Sequence, residues 1–266
     1  MAARGPGLDR VAAIPAVTIN GTRLNWTAEH YDGFWGRVER GEWEPQTYRE
    51  IDRHVGVDTV VLDLGANIGA ITLYAARKAA RVICFEPDPL SRANLTANIA
   101  VNPDIAGKIT VIAKAAYAAA GEVRLGSQAS GGDSMSSTIL PDVKTSWLVE
   151  TITPHEINAM LPQGPVPVFV KMDIEGGEYD LIPAARPLWE RRNLTLLVQT
   201  HQDVLARWMD RDTIRSMTAR MFTALRDYAV QRVYPDERRR HLGLLLLHRL
   251  GRAAPLEGHD WLFTRR

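Results

Sequence analysis

From about residue 58 onward, short apolar runs alternate with longer segments whose apolar positions recur every three or four residues. The runs are TVVLDL (59–64), RVICFE (81–86), KITVIAKAA (108–116), VPVFVKMDI (166–174) and LTLLVQTH (194–201). Runs this short and this continuously apolar predict strands buried on both faces, and the segments between them predict helices over 68–79, 89–101, 154–161 and 178–188. The alternation predicts a mostly parallel sheet covered by helices on both faces. In the first helix Ile71, Tyr74, Ala75 and Lys78 fall on one face, with Tyr74 packed and Lys78 solvated. Near the C-terminus YAVQRVYP, RHLGLLLLHRL and HDWLFTR read as antiparallel strands that finish the sheet. The small, polar stretch 126–137 reads as a loop. The first 40 residues have no clear periodicity but carry Trp26 and Trp35. Residues 1–41 are read as a tail and N-terminal cap, with 42–266 as the main domain.

Composition narrows the classes. The chain has 266 residues, 45% hydrophobic and 24% charged, with a net charge of +1. These are ordinary values for a soluble globular protein. A balance so near neutral predicts no nucleic-acid partner. A single cysteine, Cys84, excludes an intrachain disulfide, and its apolar run predicts burial. No segment reaches the roughly 18 apolar residues of a membrane span. LGLLLL (242–247) reads as a buried strand and ERRR (237–240) as a solvated turn. No secretory signal is evident, so the sequons at Asn25, Asn94 and Asn193 are read as chance matches and the compartment as cytoplasmic.

The chemistry concentrates after the first strand. Gly65, Asn67 and Gly69 stand between a strand and a helix, where glycine permits a tight turn and a close approach of ligand to backbone. The helix start offers free N–H groups and a positive dipole end. Glu86 ends the next strand, where a carboxylate can accept from both hydroxyls of a ribose. The spacing G-x-N-x-G followed by Ala70 departs from the dinucleotide pattern G-x-G-x-x-G, which disfavours a nicotinamide-dependent oxidoreductase.

VVLDLGANIGAITLYAA resembles motif I of class I S-adenosylmethionine (SAM) methyltransferases. EWEPQTYREI, FEPDPLSRANLTANIAVN, VKMDIEGGEYDLI and the terminal DWLFTR extend the likeness to the FkbM family of methyltransferases over about residues 42–265. The resemblance implies a Rossmann-like, usually seven-stranded fold, SAM as methyl donor with S-adenosylhomocysteine (SAH) as product, and commonly a small-molecule hydroxyl as acceptor. It places Asp63, Gly65, Asn67 and Gly69 around the methionine part of SAM, Glu86 at the ribose, and Ala115 and Ala116 at the adenine. Thr47, with Glu44 beside it, is implied to fold over the cofactor. Asn94 and Asn98 match the family's Asn-bearing helix, or simply pack that helix.

Asp173 follows an apolar strand and is expected at the sheet edge where ligands bind in such folds. Glu175 follows it, and Glu178 either serves the site or suits a helix N-terminus. Three carboxylates in six residues could hold a divalent cation, but the resemblance requires none, so no metal is expected. His201 ends the next strand and is the candidate general base. The family often has acid-x-His there; Gln199 replaces the acid, which weakens an acid–histidine pair. His54 and His155 are read as cap or surface residues. The resulting expectation is O-methylation, with Asp173, His201 and Glu175 as catalytic residues. N- or C-methylation, and SAM binding without turnover, are the alternatives.

Overall fold

In a computed structural model, residues 14–27, 32–127, 136–139, 142–233 and 259–265 are described. The first elements are β1 (Ala16–Ile19), β2 (Thr22–Asn25), α1 (Asp32–Glu39) and α2 (Pro45–His54). The alternating part follows as β3 (Val60–Leu64), α3 (Ala70–Ala76), β4 (Arg81–Phe85), α4 (Pro89–Ala100), α5 (Pro103–Ala106) and β5 (Ile109–Ile112). Then come β6 (Ala115–Ala116), β7 (Glu122–Ser127), β8 (Thr145–Ile152), α6 (Pro154–Ala159), β9 (Val168–Met172), α7 (Glu178–Ala184) and α8 (Arg186–Trp189). The chain ends with β10 (Leu194–Thr200), α9 (Gln202–Leu205), α10 (Arg211–Ala224), β11 (Tyr228–Val233) and β12 (His259–Arg265).

Seven strands form the main sheet in the order β11-β12-β10-β9-β3-β4-β5. From β5 to β10 all neighbours pair parallel, and β12 runs antiparallel to both β10 and β11. This is the mostly parallel sheet the apolar runs predict, in the seven-stranded Rossmann-like form the resemblance implies. Strands β3 and β9 are buried along their whole length, as helices on both faces require. From β3 the chain steps outward to β4 and β5, then returns to β9 on the other side. Such a switch point leaves a crevice beyond the carboxyl ends of the strands.

Local chemistry sets the boundaries. Pro89 opens α4, and Asp88 accepts from the amides of Leu90 at 2.8 Å and Ser91 at 3.3 Å. The single helix expected over 178–188 is two: α7 ends at Ala184, and Pro187, which lacks an N–H to continue the ladder, sits in the first turn of α8. The 126–137 stretch is not wholly loop, since Gly126 and Ser127 end β7 and Gly126 bridges Ser137. Ala115 and Ala116 leave the main sheet and join β7 and β8 in a second, three-stranded sheet. RHLGLLLLHRL, LGLLLL and ERRR lie outside the described residues.

The amphipathic reading of the first helix is corrected: all seven residues of α3 are buried. The N-terminal elements cover its outer side, with Leu24, Trp26, Trp35 and Ile51 in one cluster with Ile71, Leu73 and Tyr74. Trp26 and Trp35 stack at 5.9 Å. Tyr74 is packed as expected, and its hydroxyl donates to Asp52 at 2.7 Å. Lys78 is not simply solvated, because it pairs with the same carboxylate at 2.9 Å. Cys84 is fully buried. Among the described residues no helix is long and apolar enough to cross a membrane.

Candidate active site

A cavity opens at the carboxyl ends of β3, β4, β9 and β10, and Phe34 of α1 with Trp43 and Glu44 before α2 also line it. Of the predicted residues, Gly65, Asn67, Glu86, Ala115 and Ala116 line it from one side of the crevice. Asp173, Glu175 and His201 line it from the other strands.

Gly65 adopts φ +83, and a Cβ there would lie 1.9 Å from the carbonyl oxygen of Asp173. Only glycine fits so close an approach between the turn after β3 and the end of β9. Asn67 is also left-handed, at φ 48, and its amide donates to Glu86 Oε2 at 2.6 Å. Glu86 Oε1 accepts from the Asp88 amide at 2.8 Å. Burial pushes the Glu86 carboxyl up to about 7, against the pull of those two amides. Asn98 is buried and donates to the Ile68 carbonyl at 2.8 Å, so α4 holds the loop from behind. Asn94 bonds only within its own helix, to Leu90 O.

Three residues expected at the cofactor do not line the cavity. Asp63 is fully buried beneath the loop, where Oδ2 accepts from Thr72 Oγ1 at 2.5 Å and Oδ1 lies 3.6 Å from Lys171 Nζ. Gly69 starts α3 at φ +93, and a Cβ there would meet Leu95 Cδ1 at 2.5 Å, so its constraint is packing against α4. Thr47 is buried in α2 and donates to Glu44 Oε2 at 2.9 Å; Glu44 itself is the cavity residue. Glu44 is left-handed, at φ 44, and burial pushes its carboxyl to about 8. Of the four described non-glycine residues with positive φ, three line the cavity: Glu44, Asn67 and Glu175. Such backbone strain concentrates where a wall must hold a ligand.

The acidic element closes on His201. Glu178 Oε1 accepts from the Ile174 amide and Oε2 from the Gly176 amide, both at 2.9 Å. It is both the first residue of α7 and the brace of the D-I-E-G-G-E turn. His201 Nδ1 lies 3.2 Å from Glu178 Oε1. Its Nε2 lies 3.3 Å from Asp173 Oδ1 and 3.6 Å from Glu175 Oε2. The acid–histidine pair that Gln199 was expected to weaken is therefore present, made by Glu178. Burial opposes the imidazolium charge, but Glu178, Asp173 and Glu175 outweigh it and hold the His201 pKa well above its ordinary value. The raised value favours the charged ring, so His201 can accept a proton only after losing the one it holds. Burial pushes Glu175 up to about 8, although His201 pulls it down. Asp173, Glu178 and His201 each place a ligand atom within 4.8 Å of the others, a spacing a divalent cation could bridge. His155 is exposed, and His54 faces Glu50 at 3.5 Å, away from the cavity.

Two residues outside the sequence reading matter here. Lys171, in the middle of the strand run, lines the cavity while only 3% exposed. Asp260, on β12, is the register partner of Gln199 and accepts from Gln46 Nε2 at 2.7 Å. Its carboxyl is pushed to about 6 by burial, with Asp173 adding to the rise. The first could have been flagged as a lone lysine in a fully apolar strand. The second needed the antiparallel register, which no local pattern carries.

The residues fit SAM. Asn67 Oδ1 is a buried acceptor on the cavity wall with no hydrogen-bond partner among the described residues, and Asp173 Oδ1 beside it faces His201 Nε2 at 3.3 Å, as an ammonium- and hydroxyl-bearing ligand would require.

The model of the methyltransferase FkbM domain matches residues 63–229. No curated protein matches the chain. Among solved structures, the methyltransferase FkbM of Methylobacillus flagellatus KT is 18% identical, with 88% of this chain and 55% of that chain covered and a TM-score of 0.47. The chain thus spans about half the length of that protein. SMU.1697c of Streptococcus mutans, solved with SAH, is 8% identical over 84% of this chain and 97% of that one, with a TM-score of 0.48. An rRNA methylase of Streptococcus thermophilus is 8% identical over 82% and 93%, with a TM-score of 0.41. The expectation of no nucleic-acid partner is corrected: the similar structures include an rRNA methylase. The match over 63–229, together with the glycine turn, the placed acid and the D-I-E-G-G-E element, settles the family: the chain belongs to the FkbM family of SAM-dependent methyltransferases.

Proposed function

We propose that the protein transfers the SAM methyl group to a hydroxyl of a small molecule, such as a sugar or a secondary metabolite. The observation that carries this reading is the shared cavity: the Asn67–Glu86 turn and the Asp173–Glu175–His201 cluster face one space. When bound, SAM supplies a methyl group on a positively charged sulfur. Glu86, already oriented by two amides, would hold the ribose hydroxyls, and Asn67 would add an acceptor beside it. Ala115 and Ala116, small and at the cavity edge, leave room for the adenine. Asp173 Oδ1 is the acceptor available to the methionine ammonium. Residues 1–41 would act as cap and 42–266 as the methyltransferase domain, supported by the packing of β1, β2 and α1 over α3.

A hydroxyl must lose its proton as it attacks, and a placed base contributes about 10²–10⁴ in rate. The group that takes it is His201 in its neutral form. Glu178 then fixes the tautomer by accepting from Nδ1–H, which leaves Nε2 to receive the acceptor's proton. Asp173 and Glu175 stabilise the imidazolium that results. Holding acceptor and donor in line in a closed cavity supplies much of the remaining rate.

The test is a mass-spectrometric screen of hydroxylated acceptors incubated with SAM, read as a gain of one CH2. A product methylated on oxygen supports the reading. Methyl found on nitrogen or carbon overturns it.

A further inference from the structure

We propose that Lys171 is a positioning residue: its ammonium ties Asp173 to Asp63 and to the Gly65 carbonyl, fixing the cofactor side of the cavity. It sits in β9 among Val168, Phe169, Val170 and Met172, all buried, where an apolar side chain would be the ordinary occupant. Burying an ammonium is tolerated only where it is paired. Its three partners come from three segments. Nζ donates to the Gly65 carbonyl at 2.9 Å, in the turn after β3. It lies 3.6 Å from Asp63 Oδ1, within β3, and 3.4 Å from Asp173 Oδ2, beyond β9.

The pairing follows from sheet register. Asp63 and Lys171 are direct partners across the parallel β3–β9 ladder. One cation therefore serves two carboxylates and the loop whose glycine touches the Asp173 backbone. Drawing Asp173 Oδ2 inward leaves Oδ1 on the cavity side, 3.3 Å from His201 Nε2. Burial opposes the charge on Lys171, but Asp173, Asp63 and Glu44 outweigh it, so the group stays an ammonium. Without it, Asp63 would lose its buried cation and Asp173 Oδ2 its inward partner, leaving Asp173 held through Oδ1 by His201.

This role rests on the reading that the cavity takes SAM. Calorimetry of SAH binding to the full chain tests it, using wild type, Lys171→Met, Asp173→Asn and the double variant, with thermal melting as the check on folding. Lys171→Met should weaken SAH at least about tenfold. In the Asp173→Asn background the same change should add less than about twofold, because its effect passes through Asp173. A merely structural lysine would multiply both losses. If Lys171→Met does not fold, adding Asp63→Asn removes the stranded buried charge, and the cycle is run in that background. Wild-type SAH affinity in a folded Lys171→Met, or losses that multiply, overturns the proposal; so does failure of both variants to fold. Failure of the wild type to bind SAH overturns the cofactor reading itself, and the positioning role with it.

Discussion

Glu86 serves the turn and the ligand with one carboxylate. Its oxygens accept from the amides of Asn67 and Asp88, and the residue lines the cavity. Glu86→Ala should weaken SAH binding by at least about 100-fold, since two charge-assisted bonds to the ribose are each worth about 1.5–3 kcal/mol and two amides lose their acceptor. Calorimetry that returns wild-type affinity would remove Glu86 from the site. Gly69→Val should act differently. Its Cβ meets Leu95 rather than ligand, so the loss should appear first in melting temperature and only secondarily in affinity. At His201 the sign of the pH effect follows from the raised pKa: the ring is charged below it and becomes a base above it. Turnover should therefore climb with pH through a value well above the ordinary histidine range, about 6.5. His201→Ala should lower turnover, leave SAM affinity nearly unchanged and abolish that limb. A wild-type profile already flat by pH 7 would sink the assignment.

The element that best shows the reach of local pattern is β3–α3–β4. Its strands, its turn glycines and its terminal acid act within one stretch of chain, so they are legible in order along the sequence. Helix α3 shows where that reach ends. Its spacing was compatible with one packed face, but the other face is covered by segments more than twenty residues upstream, and no helical period reports that. Lys171 stands out as a lone lysine in an apolar run, but its pairing with Asp63 comes from strand register, and the meeting of Asp260 with Gln46 comes from packing across the chain, neither of which a local pattern carries. Asp52 of α2 joins the N-terminal elements to α3: it accepts from Asn20 Nδ2 and Tyr74 Oη and pairs with Lys78. Asp52→Ala should lower stability by about 1–2 kcal/mol, read by denaturant unfolding. SAH affinity should change little, since Asp52 does not line the cavity.

For the whole molecule, buried carboxyls gather in and around the cavity. Burial raises Glu44 and Glu175 to about 8 and Glu86 to about 7 in its wall, and Asp260, bonded to Gln46 outside that wall, to about 6. A raised folded-state pKa means the native chain holds more protons than the unfolded one between the ordinary carboxylate value and the raised one. Stability therefore falls as pH rises across that window. The ligand-free protein should melt at a higher temperature at pH 5.5 than at pH 8.5, and cationic SAM should narrow the gap by giving the carboxylates a partner. A melting temperature that rises with pH over this range would contradict the burial of these groups. The hydrogen bond from Gln46 to Asp260 joins positions 214 residues apart, where α2 meets β12. Closing so long a loop costs entropy that only long-range contacts return, whereas β3, α3 and β4 need only short loops. In time rather than space, that corner should therefore be the last part of the protein to form. A refolding chain should recover SAH binding no sooner than its slowest tryptophan fluorescence phase, and the enzyme should gain its ligand site only as its fold completes.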